Sequence, residues 1–237
     1  MIQCLNCKTS LKQHCKYCSV CGQSTLNLHQ SFTKVAFQAL HEMLDIDGRL
    51  ATTLKILLFS PGRLSKEFVE GRRIRYTPPL RMYLVISLLF FVIVSFIQTT
   101  PNQQENIKVA FLLFPVGTLE QVPKLMFLML PFYALLVKLF HRKSLYVFNL
   151  IFALHIHSLM YLMLMVILPL NHYDDMHLSL HWLQYPFIVY LFYYFLISLK
   201  VMYENSWLYT IWTYVVTFVL YMLSIGLGLE FIGYILN

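Results

Sequence analysis

Charge is scarce in this chain. Asp, Glu, Lys and Arg make up 12% of its 237 residues, about half of what a soluble globular domain carries. With 58% hydrophobic residues and a mean hydropathy of +0.62, a water-soluble fold is excluded, because too little polar surface remains to cover such a core. Cysteine is absent beyond residue 21, and only eight glycines are present, none of them in a Gly-rich phosphate loop. No Ser-His-Asp order, no pair of carboxylates inside an apolar run and no inverted repeat occurs, so triad hydrolysis and ion-coupled transport lack their usual residues. An apolar leader is missing from the first residues, and the head is expected to stay on the side of synthesis.

What is there begins with the cysteines Cys4, Cys7, Cys15, Cys18 and Cys21. Cys4-Leu-Asn-Cys7 and Cys18-Ser-Val-Cys21-Gly22 are C-x2-C turns, each placing two thiolates on one side of a tight loop. Two such turns supply the four sulfurs of a tetrahedral zinc site. Gly22 suits a backbone conformation that glycine adopts cheaply. Disulfides are disfavoured by a cytosolic head and an odd cysteine count, and a thioredoxin-like motif by the lack of a surrounding βαβ pattern. The expectation is a structural zinc held by Cys4, Cys7, Cys18 and Cys21, closed at four thiolates; Cys15 is the spare, able in principle to replace Cys18.

A basic foot, SPGRLSKEFVEGRRIRYTPP, feeds directly into an apolar run from Leu80. Three segments precede that run: an amphipathic helix from Ser31 to about Leu44, a second segment over Leu50 to Phe59, and a short third one capped by Ser60 and stopping at Gly71. None is long enough to span a bilayer, which places them at its cytoplasmic interface. Arg72, Arg73, Arg75 and Arg81 are the candidate contacts for anionic lipid head groups, and also topology determinants.

The C-x-N-C turn, Tyr17-Cys-x-x-Cys-Gly-Gln23, Thr52 or Thr53, Leu57, Pro61-Gly62, Glu70-Gly71-Arg72-Arg73 and Tyr76-x-Pro78 together resemble a bacterial family of uncharacterised multi-spanning membrane proteins, a domain of unknown function with an N-terminal four-cysteine zinc ribbon. The likeness covers about the first 100 residues. It implies a zinc ribbon on a membrane domain and no assigned activity.

Five spans are expected, over about Leu80 to Ile97, Pro123 to Phe140, Tyr146 to Leu170, Leu183 to Tyr203 and Leu208 to Phe231, each near the ~20 residues that a ~30 Å hydrocarbon core requires. Residues 107–119 form an interfacial or re-entrant piece. The fold class is therefore an α-helical integral membrane protein with a zinc ribbon (1–28), an amphipathic neck (29–78) and a helical domain (79–237). Sixteen of the 18 Lys and Arg fall on the head and the loops sharing its side, and Lys108 and Lys124 on the other. This asymmetry predicts a bacterial inner-membrane protein with a cytoplasmic N-terminus and an outer C-terminus.

Two further constellations stand out. His155 and His157 lie inside the third span, where ionisable residues are functional candidates; two positions apart on a helix, they point about 200° away from each other and are expected to bond to neighbouring helices. Asp174, His177 and His181, in an outer loop, share one helical face and are the candidate ligands of a second metal. The function expected is a non-enzymatic scaffold or regulator whose ribbon and neck bind a cytosolic or membrane partner, with a homo-oligomer compatible and nucleic acid not expected. The alternatives are a small transporter with a cavity near Pro131, His155 and His157, and a membrane enzyme using the outer metal.

Overall fold

The computed structural model describes residues 2–11, 15–23, 49–98, 122–173 and 181–236. The expected helix from Ser31, the segment 107–119, and Asp174 and His177 lie outside them. His181 opens a short 3-10 turn, His181–Leu183, and its side chain also lies outside the described part.

The chain starts with a two-stranded antiparallel hairpin, β1 (Ile2–Gln3) with β2 (Ser10–Leu11), in which Ile2 faces Leu11 and Gln3 faces Ser10. Two short helices follow in the neck, α1 (Leu50–Phe59) and α2 (Arg63–Val69). Among the described residues, five long helices follow: α3 (Pro79–Gln98), α4 (Val122–Phe140), α5 (Tyr146–Tyr173), α6 (Gln184–Tyr203) and α7 (Trp207–Leu236).

Helix α5 is the axis. Residues 151–159 are buried without interruption, the pattern of a helix enclosed on all sides. It packs against α3, α4 and α6, while α7 closes the bundle against α4 and α6, and the neck helices lie on α5 and α6. One core runs through the bundle from Tyr83 and Phe90 to Phe152, Tyr161 and Ile225. The outer faces are apolar as well: Leu88, Leu128, Val189, Leu208 and Leu223 are all exposed. Such extensive apolar surface is uncommon on a water-solvated monomer.

Among the described residues, three helices are long and apolar enough to cross a membrane: Tyr146–Leu170, Gln184–Tyr203 and Trp207–Gly228. This is coarser than the expected five spans. The first two do form helices, α3 and α4, but their apolar stretches with described side chains, Pro79–Val94 and Leu125–Phe140, are shorter.

The polar residues of α5 show how it is fixed. His155 Nδ1 lies 2.7 Å from Ser65 Oγ of α2. His157 bonds along its own helix to Ala153 O at 2.8 Å and across to the Tyr221 hydroxyl of α7, also at 2.8 Å. The two rings thus face different neighbours, one the neck and one the last helix. Tyr203, at the end of α6, donates to Asn149 Oδ1 at 2.6 Å and stacks on His141.

The start of α2 differs from expectation. Ser60 is the last-turn cap of α1, its N–H donating to Ile56 O at 2.9 Å. Gly62, with φ +72°, precedes α2, and no side-chain hydrogen bond caps that helix. The reason is a close approach: a Cβ at Gly62 would sit 2.6 Å from the backbone oxygen of Ser198 in α6. Only a residue without one lets the neck touch the α6 backbone.

Candidate metal centre

Cys4 and Cys7 bracket the turn between β1 and β2, and Cys18 and Cys21 form a second turn of the same design. Lys8 N–H donates to Cys4 O at 2.8 Å, and Gly22 N–H to Cys18 O at 2.9 Å. In both turns the residue after the second cysteine is left-handed, Lys8 at φ +63° and Gly22 at φ +71°. The glycine was legible in the sequence; the lysine in the equivalent place was not, because it is the turn and not its side chain that demands the conformation.

The two turns face each other. Cys4 Sγ lies 3.6 Å from Cys21 Sγ and Cys7 Sγ 3.6 Å from Cys18 Sγ, and all four sulfurs fall within 4.8 Å of one another. Four thiolates around a tetrahedral ion bound at about 2.3 Å stand about 3.8 Å apart, so the donor set fits a metal ion. Cys4 and Cys18 are buried, and Cys7 and Cys21 partly so. The Thr9 hydroxyl, 3.3 Å from Cys7 Sγ, holds that thiol down to about 6, whereas burial pushes Cys21 up to about 11. Cys15 lies outside the four-sulfur group.

The ribbon has a built seat. Gln23, buried directly after the second turn, donates through Nε2 to Gly71 O, while its Oε1 accepts the N–H of Arg73 at 3.0 Å and of Ile74 at 3.2 Å. Gly71 has φ +90°, and a Cβ there would meet Leu5 of the first turn at 2.4 Å. The sequence holds both halves of this joint, Cys-Gly-Gln and Glu-Gly-Arg-Arg, without showing that they touch. They lie 48 to 51 positions apart.

Cross-braces stiffen the neck under this seat. Thr53 Oγ1 donates to Arg49 O at 2.9 Å and accepts Thr77 N–H at 2.9 Å, and Arg49 Nη1 reaches Ile74 O at 2.9 Å. Thr53 is fully buried with Leu57, whereas Thr52 is exposed. The Tyr76 hydroxyl donates to Glu67, which also accepts Arg63 Nε at 2.8 Å. Burial alone would raise the Glu67 carboxyl, but Tyr76 and Arg63 outweigh it and hold it below its usual value; burial, then Glu67, pushes Tyr76 up to about 12.

This pair dictates a pH response. The depressed Glu67 contributes stability above its unfolded pKa, lost as pH falls through the lower folded value; the raised Tyr76 contributes below pH ~10 and loses it as pH climbs toward the folded value. Tyr76→Phe should cost about 1.5 kcal/mol at neutral pH and flatten both limbs of stability against pH. Chemical denaturation across pH checks this, and limbs as steep as in the wild type would refute it.

The four candidate lipid-binding arginines do not form one patch. Arg72 pairs with Glu70, Arg73 bonds Phe68 O at 3.2 Å and covers the Phe68 ring, Arg75 is exposed, and Arg81 is buried at the foot of α3. The cavity at His157 has a volume of about 20 Å³ and is lined by Tyr133, His157, Tyr214, Thr217 and Tyr221 among others. That is room for about one water. Neither Pro131 nor His155 lines it.

Residues 47–91 match the model of a protein family of unknown function (DUF3667). The matched stretch takes in α1, α2 and the first part of α3; it contains Thr53, Gly62, Glu67, Gly71 and Tyr76 but none of the cysteines. No curated protein and no solved structure matches the chain. The ribbon's seat thus lies within the part of the chain similar to that family, and the ribbon itself outside it.

Proposed function

We propose that this chain is a non-enzymatic membrane scaffold: a zinc ribbon carried on a rigid neck above five membrane-spanning helices, presented to a partner protein in the cytosol. Zinc suits the donor set, because a closed cage of four thiolates leaves no position for a substrate or an activated water. Five spans follow if the whole of α3 and α4 is counted, since helices of 20 and 19 residues extend about 30 Å. The excess of Lys and Arg on the ribbon and neck supports a cytoplasmic head in a bacterial inner membrane.

One observation carries the partner. On a ribbon of about 20 residues, Leu5, Tyr17 and Val20 are 51%, 63% and 67% exposed. The apolar surface of the bundle has hydrocarbon to face; that of a ribbon docked by Gln23 on the polar side of the neck does not, and exposed aromatics of this kind serve protein contacts. A carrier would need a solute-sized chamber, and the cavity at His157 supports none.

The test is purification of the full chain beside a Tyr17→Ser/Val20→Ser variant. The wild type should retain a stoichiometric protein partner that the variant lacks at equal zinc content. A wild type that purifies alone after cross-linking in cells would overturn the scaffold.

A further inference from the structure

Beside α2, where the neck meets the last two turns of α6, lies an open cleft of about 550 Å³ lined by Ser60, Arg63, Lys66, Glu67, Glu70, Arg72 and, on its apolar wall, Ile197 and Val201. We propose that this cleft binds the head group of a zwitterionic aminophospholipid, with the phosphate on Arg72 and Lys66, the primary ammonium on Glu70 and the first acyl carbons on Ile197 and Val201.

Position gives the first argument. Helix α6 is long and apolar enough to cross a membrane, and Lys200 and Glu204 mark where it reaches water. Ile197 and Val201 therefore sit at the level where lipid tails meet head groups, and the charged residues of α2 stand just above them.

The charges give the second. Glu67 is committed: its side chain is only 15% exposed, and it holds Arg63 and Tyr76. Two other pairs, Arg72 with Glu70 and Lys66 with Glu204, are much more exposed. Pairs of that kind contribute little and exchange readily. An anion entering alone would gain Arg72 and Lys66 but stand beside the carboxylates of Glu70 and Glu204. A zwitterion brings a cation as well: its phosphate takes Arg72 and is shared by Lys66, and its ammonium takes the place of Arg72 on Glu70, so the carboxylate beside the phosphate is not left without a partner. A primary ammonium also donates hydrogen bonds to Glu70, which a quaternary choline cannot do.

The experiment uses the full chain in nanodiscs of equal parts phosphatidylethanolamine, phosphatidylcholine and phosphatidylglycerol, with bound lipid read by native mass spectrometry. Phosphatidylethanolamine should be retained roughly tenfold over each of the others, the effect of one charge-assisted hydrogen bond. Arg72→Gln/Glu70→Gln should bring the three classes to parity with zinc content unchanged. Lys66→Gln, which leaves Arg72 and Glu70 in place, should lower the preference in part. Soluble phosphoethanolamine at the concentration of the lipid should displace nothing, since it lacks contact with Ile197 and Val201; displacement would assign the cleft to the free head group and overturn the lipid. Equal retention of the three classes, a preference for the anionic lipid, or an unchanged preference in the double variant would each overturn the proposal as well.

Discussion

Replacing Cys21 by serine should remove essentially all of one zinc ion per chain, while Cys15→Ser should leave the metal content at the wild-type value. The difference follows from geometry. Cys21 Sγ stands 3.6 Å from Cys4 Sγ inside the four-sulfur group, and Cys15 lies outside it. With a hairpin of two residues per strand and a minimal core, the ribbon has little else to hold it. Structural zinc contributes about 10–16 kcal/mol in small domains of this type, far more than so few residues bury, so losing one ligand should unfold the ribbon outright. The helical bundle has its own core from Tyr83 to Ile225 and should keep its helicity. Metal analysis with circular dichroism checks both halves; zinc retained in Cys21→Ser and lost in Cys15→Ser would reverse the assignment of the spare thiol.

How far the sequence discloses this molecule depends on the range of the interaction. The long helices are legible because a stretch of about twenty mostly apolar residues leaves the backbone no other way to satisfy its own hydrogen bonds beside hydrocarbon. The C-x2-C turns are legible because their spacing is local. That His155 and His157 face apart follows from helix geometry alone. Their partners, Ser65 and Tyr221, stand 90 and 64 positions away and carry no signal in a single chain. The start of α2 escapes the sequence for the same reason: Ser60-Pro61 is a sound local cap, but Gly62 is set by the backbone of Ser198, visible only once α6 is in place. Basic residues that are neighbours in the sequence likewise meet different surroundings: Arg72 lines the cleft with Arg63 and Lys66 of α2, Arg73 covers the Phe68 ring, and Arg81 is buried at the foot of α3.

Among the side chains with no metal-binding role, Gln23 should matter most to the ribbon. Its single amide satisfies one backbone carbonyl and two backbone N–H groups of the neck, at Gly71, Arg73 and Ile74. Each bond contributes about 1 kcal/mol, and removing the amide leaves those groups to be satisfied by water. Gln23→Ala should therefore weaken docking by about 3 kcal/mol, which is roughly a hundredfold rise in the undocked population. The four thiolates are untouched, so zinc should stay bound. Hydrogen exchange separates the two effects, because the Arg73 and Ile74 amides are the ones Gln23 protects: they should exchange about a hundredfold faster, while the amides of Cys18 and Gly22, held within the turn, should not change. Gly71→Ala attacks the same joint from the other side. Its φ of +90° disfavours any side chain, and the new methyl would press on Leu5 at 2.4 Å, so it should reproduce the Gln23→Ala pattern with metal still in place. Unaltered protection at Arg73 and Ile74 in both variants would mean that the ribbon is not held by this seat, and a scaffold that presents it at a fixed height above the bilayer would lose its physical basis.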